Sequence, residues 1–310
     1  MEWYLRRHVH QGRGETRVES LQLYPDAASR TVKAVVSVYN SSSQTAPVNL
    51  SLQVKGKDDG KSYASVEAQA EAVKGYSTVE LTCQLGDNAP LWDEFNPYLY
   101  DASVKLVSGK STSLTTETFG LRDIRHEENK LVLNDKPIFL RGTLECCIFP
   151  LTGTPPTDEA SWEKLYASAR EYGMNHLRFH SWCPPEAAFN VADEMGFYVQ
   201  VELPVWSVTL GKDSATVEFL RAEAKRISKE YGNHPSFCFW SIGNELQYDF
   251  NILASMLGEM KAADDRHLYT TTSFTFEKGH GDWPENQDDF FVTQWTKKGW
   301  VRGQGVFNQE

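Results

Sequence analysis

The sequence predicts an all-β sandwich followed by part of an α/β barrel of the (β/α)8 kind, with about six of its strands present. Three observations carry this. From about residue 14 to 124, short stretches of alternating apolar and polar residues recur between turn-forming clusters, which is the pattern of a β-sandwich. From about residue 125 to 310, amphipathic helical patterns alternate with short apolar runs, and a βαβα order implies a parallel sheet. Within that half, Phe237-Cys238-Phe239-Trp240 is a continuous apolar run leading into Ser241-Ile242-Gly243-Asn244-Glu245. Such a run suits a parallel strand covered on both faces. A carboxylate at its carboxyl end stands where (β/α)8 barrels keep their chemistry.

In the first domain, residues 14–124, the strands are read at 35–39, 48–54, 77–81 and 102–106. Polar pieces such as Asn40-Ser41-Ser42-Ser43 and Lys57-Asp58-Asp59-Gly60 separate them. In the second, residues 125–310, Asn134-Asp135 reads as a tight turn between two short strands. Trp162, Leu165, Tyr166 and Ala169 repeat at helical spacing, and Gly173 is placed to end that helix. Residues 175–181 read as the second barrel strand, 185–195 as a helix closed by Gly196, and 197–202 as the third strand. Val217, Leu220, Ala224, Ile227 and Tyr231 line the next helix, and the fourth strand is expected to run to Glu245. Another helix carries Leu253, Met256, Leu257 and Met260, and residues 269–272 and 290–293 read as strands five and six. No run suggests strands seven and eight. A full barrel takes roughly 250 residues, more than remain, so the chain is expected to be an internal piece of a longer protein. An open barrel exposes strand edges, so the piece alone is expected to be poorly stable or inactive.

Composition narrows the partners. Lys plus Arg is 31 against 42 for Asp plus Glu, a net charge of -11. No basic run offers the clustered cations that phosphate backbones require, so nucleic acid is not expected. No apolar stretch is long enough to span a membrane. The first residues lack a signal-peptide core, which predicts either a cytosolic protein or a leader outside this sequence. The five cysteines fit no zinc spacing and read as buried free thiols. His8-Val9-His10 does not make a metal site, and no metal or organic cofactor is implied. Nine Trp residues suit stacking on pyranose faces as well as an aromatic core. Trp182, Trp206 and Trp240 are the candidate platforms.

Read alone, Glu245 would serve equally as a cap on the following helix. The run Asn233-His234-Pro235-Ser236, with Trp240-Ser241 and Asn244-Glu245, resembles the acid/base signature of glycoside hydrolase family 2. That family includes β-galactosidases, β-glucuronidases and β-mannosidases. Leu91-Trp92-Asp93-Glu94-Phe95-Asn96-Pro97-Tyr98-Leu99-Tyr100 and Phe119-Gly120-Leu121-Arg122 resemble segments that end the family's immunoglobulin-like domain. Phe139-Leu140-Arg141-Gly142 looks like its first barrel strand.

The resemblance implies a retaining glycosidase acting on terminal β-linked sugars of an oligosaccharide or glycoside. It implies Glu245 as general acid/base and Asn244 as a contact to the sugar 2-hydroxyl. His176, Arg178 and His180 alternate and share one strand face. Arg178 and His180 are candidates to hold substrate or, alternatively, to form internal ion pairs. Here the pattern departs, because the usual His aligns with Ser181 and the usual Pro with Cys183. Glu202, ending the third strand, would meet a substrate hydroxyl or balance Arg178. Glu145 and Cys146 stand where the family often has His or Asn, which suggests an unusual sugar preference. Tyr231-Gly232 replaces a more polar pair. The family nucleophile is a Glu at the end of strand seven; no matching motif occurs before the chain ends and Glu310 has no strand motif around it, so the nucleophile is expected after residue 310. The competing class is a non-catalytic carbohydrate-binding or vestigial protein. The upstream sandwich argues against an endo-cellulase type of the same barrel clan.

Overall fold

The structure, a computed structural model, describes residues 14–128, 130–247, 249–275, 288–293 and 305–307. The chain divides into two compact units, Met1–Trp92 with Tyr98–Leu121, and Asp93–Pro97 with Arg122–Glu310.

The first unit is a sandwich of two antiparallel sheets. Its strands are β1 (Thr16–Asp26), β2 (Thr31–Asn40), β3 (Ala46–Gly56), β4 (Ser62–Ala72), β5 (Gly75–Gln84), β6 (Tyr100–Ser108) and β7 (Ser111–Phe119). They pair in the orders β1-β2-β5 and β4-β3-β6-β7. The period of two decides what is buried. Val32, Ala34, Val36 and Val38 of β2 share a core with Val48, Leu50, Leu52 and Val54 of β3 and with Ala102, Val104 and Leu106 of β6.

The second unit opens with an antiparallel meander of β8 (Ile124–Glu127), β9 (Lys130–Leu133) and β10 (Lys136–Ile138). Asn134 and Asp135, at φ 50° and 64°, form the expected turn in the left-handed region that Asn and Asp tolerate. The barrel follows as β11 (Gly142–Glu145), α1 (Glu159–Glu171), β12 (His176–Phe179), α2 (Glu186–Met195), β13 (Tyr198–Glu202), α3 (Ser214–Tyr231), β14 (Phe237–Ser241), α4 (Phe250–Ala263) and β15 (Leu268–Thr270). Strands β11 to β15 form one parallel sheet in chain order. Asp158, Asp213 and Asp249 cap α1, α3 and α4 by accepting from backbone amides of the first turn.

Five expectations change. The first strand starts at Gly142, after the Phe139-Leu140-Arg141 run. The fourth ends at Ser241, short of Glu245. The fifth is interrupted at Thr271-Thr272, and the chain continues as β16 (Ser273–Thr275) in a second parallel sheet with β17 (Phe291–Thr293) and β18 (Gly305–Phe307). Strand β18, which pairs in parallel with β17, is not legible in the sequence, because its short Gly-Val-Phe run carries no periodic signal. The thiols also differ, since Cys83 and Cys238 are buried but Cys147 is exposed.

Alternation gives each barrel strand one apolar and one polar face. Leu177, Phe179, Val199 and Val201 join the cluster formed with the helices. Their alternates His176, Arg178, Gln200 and Glu202 therefore point to the interior. His176 lies edge-on to Phe239 at 5.6 Å between ring centroids. Its ring occupies the space beside Gly142, where a Cβ would come within 2.4 Å of Nδ1.

Burial, and then the Arg178 charge, push the His176 imidazole down to about 3. It is therefore neutral in the fold at neutral pH. The unfolded chain binds a proton there below about 6.5 and the folded chain does not, so stability is lost as pH is lowered from about 6.5 toward about 3, by up to about 1.4 kcal/mol per unit. Denaturant unfolding at pH 7, 5 and 4 checks this. The wild type is expected to lose stability faster toward acid than His176→Leu, and parallel slopes would remove His176 as the cause.

The first part of the signature is architectural. His234 Nδ1 meets Asp193 Oδ2 at 2.6 Å, and the Ser236 amide donates to Asp193 Oδ1 at 3.0 Å. Asn233 Oδ1 accepts from Arg266 Nη1 at 2.9 Å. Arg122 donates to the carbonyls of Pro235, Arg266 and Phe237 at 2.8, 2.7 and 2.9 Å. The Tyr231-Gly232 departure has a packing reason. Tyr231 stacks on Phe189 at 4.6 Å, and a Cβ on Gly232 would come within 2.1 Å of the Arg266 guanidinium.

Candidate active site

Past Ser241 the chain bulges at Ile242-Gly243 and rejoins the sheet at Asn244, which bridges in parallel to Trp206 on one side and Ser273 on the other. Gly243 permits this because a Cβ there would lie 2.5 Å from the Val205 carbonyl oxygen. The Asn244 amide donates to Val205 O at 3.1 Å, and the Glu245 amide donates to Ser273 O at 3.0 Å. Glu245 is held at φ 49°, a strained conformation for a non-glycine residue that persists where surrounding bonds over-determine it. Cys147 and Ser181, at φ 57° and 58°, lie just past β11 and β12. All three strained residues thus stand at the carboxyl ends of barrel strands.

Glu245 is half-buried, and its Oε2 accepts the indole N–H of Trp206 at 2.9 Å. Behind it lies a buried polar network. Arg178 Nε donates to Glu202 Oε1 at 2.7 Å, and Arg178 Nη2 donates to Asn244 Oδ1. Glu202 also accepts from the Ser181 amide at 2.7 Å, from Gln200 Nε2 at 3.2 Å and from the Ser273 hydroxyl. Arg has no acceptor, so this bond fixes the Asn244 amide with its oxygen toward Arg178. The Asn244 Nδ2 is then a buried donor with no partner among the described residues.

The candidates therefore separate. Glu245, Asn244, Arg178 and Glu202 are brought together. Glu202 is fully buried, and its donors fill the roughly four acceptor sites of a carboxylate. It balances Arg178 and has no site left for a sugar hydroxyl. His180 lies past the strand end, with its ring edge-on to Trp206 at 5.1 Å. Trp182 is half-buried and donates from Nε1 to the Glu145 carbonyl at 3.0 Å. Trp240 is a correction. It is fully buried in the cluster shared with the helices, so neither ring face is free for a sugar.

Glu145 turns its carboxylate onto the amides of Cys147 and Ile148, at 2.9 and 3.3 Å. Burial nonetheless pushes its carboxyl above the usual range. The network also holds Gln200 and Ser273, which are not among the residues the sequence singles out. Gln200 could have been found from its alternation with Glu202. Ser273 carried no signal. Glu310, His8 and His10 lie outside the described residues. Among the described residues, no group of three or more His, Cys, Asp or Glu is placed to hold a metal ion. No helix there is long and apolar enough to cross a membrane.

A β-sandwich followed by a parallel barrel whose carboxyl rim bears a strained, hydrogen-bonded Glu defines a two-domain chain of the (β/α)8-barrel class. The profile of glycosyl hydrolases family 2 matches residues 16–122, and the TIM barrel profile of that family matches residues 124–283. The chain belongs to glycosyl hydrolases family 2.

It is 25% identical to the β-galactosidase large subunit of Latilactobacillus sakei over 263 residues, covering 76% of this chain and 40% of that protein. It is 26% identical to a putative β-glucuronidase of Formosa agariphila over 242 residues, covering 74% and 23%. The chain thus spans less than half the length of these relatives. Among solved structures, a family 2 member from Bacteroides cellulosilyticus superimposes with a TM-score of 0.81 at 20% identity, covering 92% of this chain and 38% of that one. A β-galacturonidase from Eisenbergiella tayi gives 0.77 at 18%, covering 91% and 50%. These two likenesses bear on the fold alone.

Proposed function

We propose that the chain carries the acid/base half, and the start of the nucleophile half, of a retaining glycosidase acting on terminal β-linked sugars. The observation that supports this best is Glu245 at the rim beside a buried Asn244 whose N–H donor has no partner among the described residues. In this reading Glu245 protonates the glycosidic oxygen as the bond to the anomeric carbon breaks. It then takes a proton from water as the glycosyl-enzyme is released. Asn244 Nδ2 donates to the sugar 2-hydroxyl, Arg178 and Glu202 hold Asn244, and Trp182 and His180 form part of the rim wall.

Retention requires a second carboxylate roughly 5–5.5 Å from the first. Glu310 is the candidate. It stands three residues after Phe307 in the sequence. The test is labelling with aziridines of the cyclophellitol type, the class covalently bound in the Bacteroides uniformis β-glucuronidase 2 structure. Galacto-, glucurono- and galacturono-configured reagents follow the relatives' names. One reagent is expected to form an ester on Glu310, read by peptide mass, and Glu245→Gln is expected to slow that reaction. An adduct elsewhere would displace Glu310. No adduct with any reagent would favour the non-catalytic binding protein.

A further inference from the structure

We propose that Trp206 is a positioning residue for Glu245, holding one carboxylate oxygen so that the other is presented to the leaving-group oxygen. This rests on Glu245 being the acid/base. Trp206 is 61% exposed, yet its polar edge is committed inward. Nε1 donates to Glu245 Oε2 at 2.9 Å, while the ring lies at the surface. Two further features fix the geometry. The Trp206 backbone bridges Asn244 in parallel, so indole and carboxylate leave adjacent strand extensions. The His180 ring meets the indole at 67° and 5.1 Å, closing off rotation on that side.

An indole N–H can only donate. When Glu245 carries its proton, Oε2 is already engaged as an acceptor, and the proton is confined to Oε1. A carboxyl group whose oxygens would otherwise exchange by rotation becomes asymmetric, with its acidic face aimed away from Trp206. When the proton has passed to the leaving group, the same N–H stabilises the carboxylate that remains. His180 acts through Trp206, which explains a His at this position without a sugar contact.

Trp206→Phe keeps an aromatic ring at this position and removes the N–H donor along with the fused second ring. Loss of one hydrogen bond to a charged group corresponds to about 10–100-fold in rate. We expect kcat for alkyl β-glycosides to fall by that amount with KM nearly unchanged. Bond cleavage in nitrophenyl glycosides, which needs little proton assistance, should change little. Equal losses for both substrate types would mean general loosening of the rim and would overturn the proposal.

A second measurement does not depend on turnover. The indole N–H resonance that disappears in Trp206→Phe is expected to exchange slowly with water despite the exposed ring, and to move in Glu245→Gln. Fast exchange and indifference to Glu245→Gln would overturn the proposal directly. The expected resonance in a wild type that cleaves no glycoside would instead overturn the assignment of Glu245, so the two failures appear in different measurements.

Discussion

Replacing Glu245 with alanine is expected to lower kcat/KM for alkyl β-glycosides by about 10²–10⁴-fold. The loss should depend on the leaving group. An alkoxide cannot depart without a proton, whereas a nitrophenolate can, so bond cleavage in nitrophenyl glycosides should be much less affected. Their turnover should then stall at the glycosyl-enzyme, because water is no longer activated. Azide needs no general base. Added azide should therefore restore turnover and yield the β-glycosyl azide, with the configuration retained. A uniform loss across leaving groups, with no response to azide, would reduce Glu245 to the role of anchoring Trp206.

The residues that make this prediction possible were partly visible in the chain. The Asn233-to-Glu245 run announced a chemical site because an apolar strand passes abruptly into Asn-Glu. Its internal division was not visible. Asn233, His234 and Ser236 serve Arg266 and Asp193, partners remote in sequence that only folding brings together. The strand end was misplaced because nothing in Ile242-Gly243 marks a bulge. The Val205 carbonyl that makes Gly243 necessary lies past the end of β13, remote in sequence. Trp240 misled for a related reason. In a strand apolar on both faces, periodicity does not say which face meets the helices. Trp206 was noticed as an aromatic ring, but its value lies in an N–H aimed at a carboxylate 39 positions away. Sandwich strands were easier, since a half-exposed sheet writes its alternation directly into the sequence.

The Arg178–Glu202 pair sets the second large effect. Both side chains are buried, at 3% and 0% exposure. Arg178→Met would leave the Glu202 carboxylate buried with only neutral donors, the Ser181 amide, Gln200 and Ser273. Breaking a buried pair from one side costs about 3–5 kcal/mol, and the urea midpoint is expected to fall accordingly. The double variant Arg178→Met with Glu202→Gln removes the orphaned charge, and it should recover much of that loss. Activity should separate from stability in this cycle. Arg178 is what holds the Asn244 oxygen inward among the described residues, so in both variants the amide is expected to turn and the donor proposed for the sugar hydroxyl to be lost. Stability should therefore return in the double variant while kcat/KM does not. A double variant that regained both would place Arg178 outside the catalytic geometry. A single variant as stable as the wild type would mean that solvent reaches Glu202 and that the network is not sealed as the burial indicates.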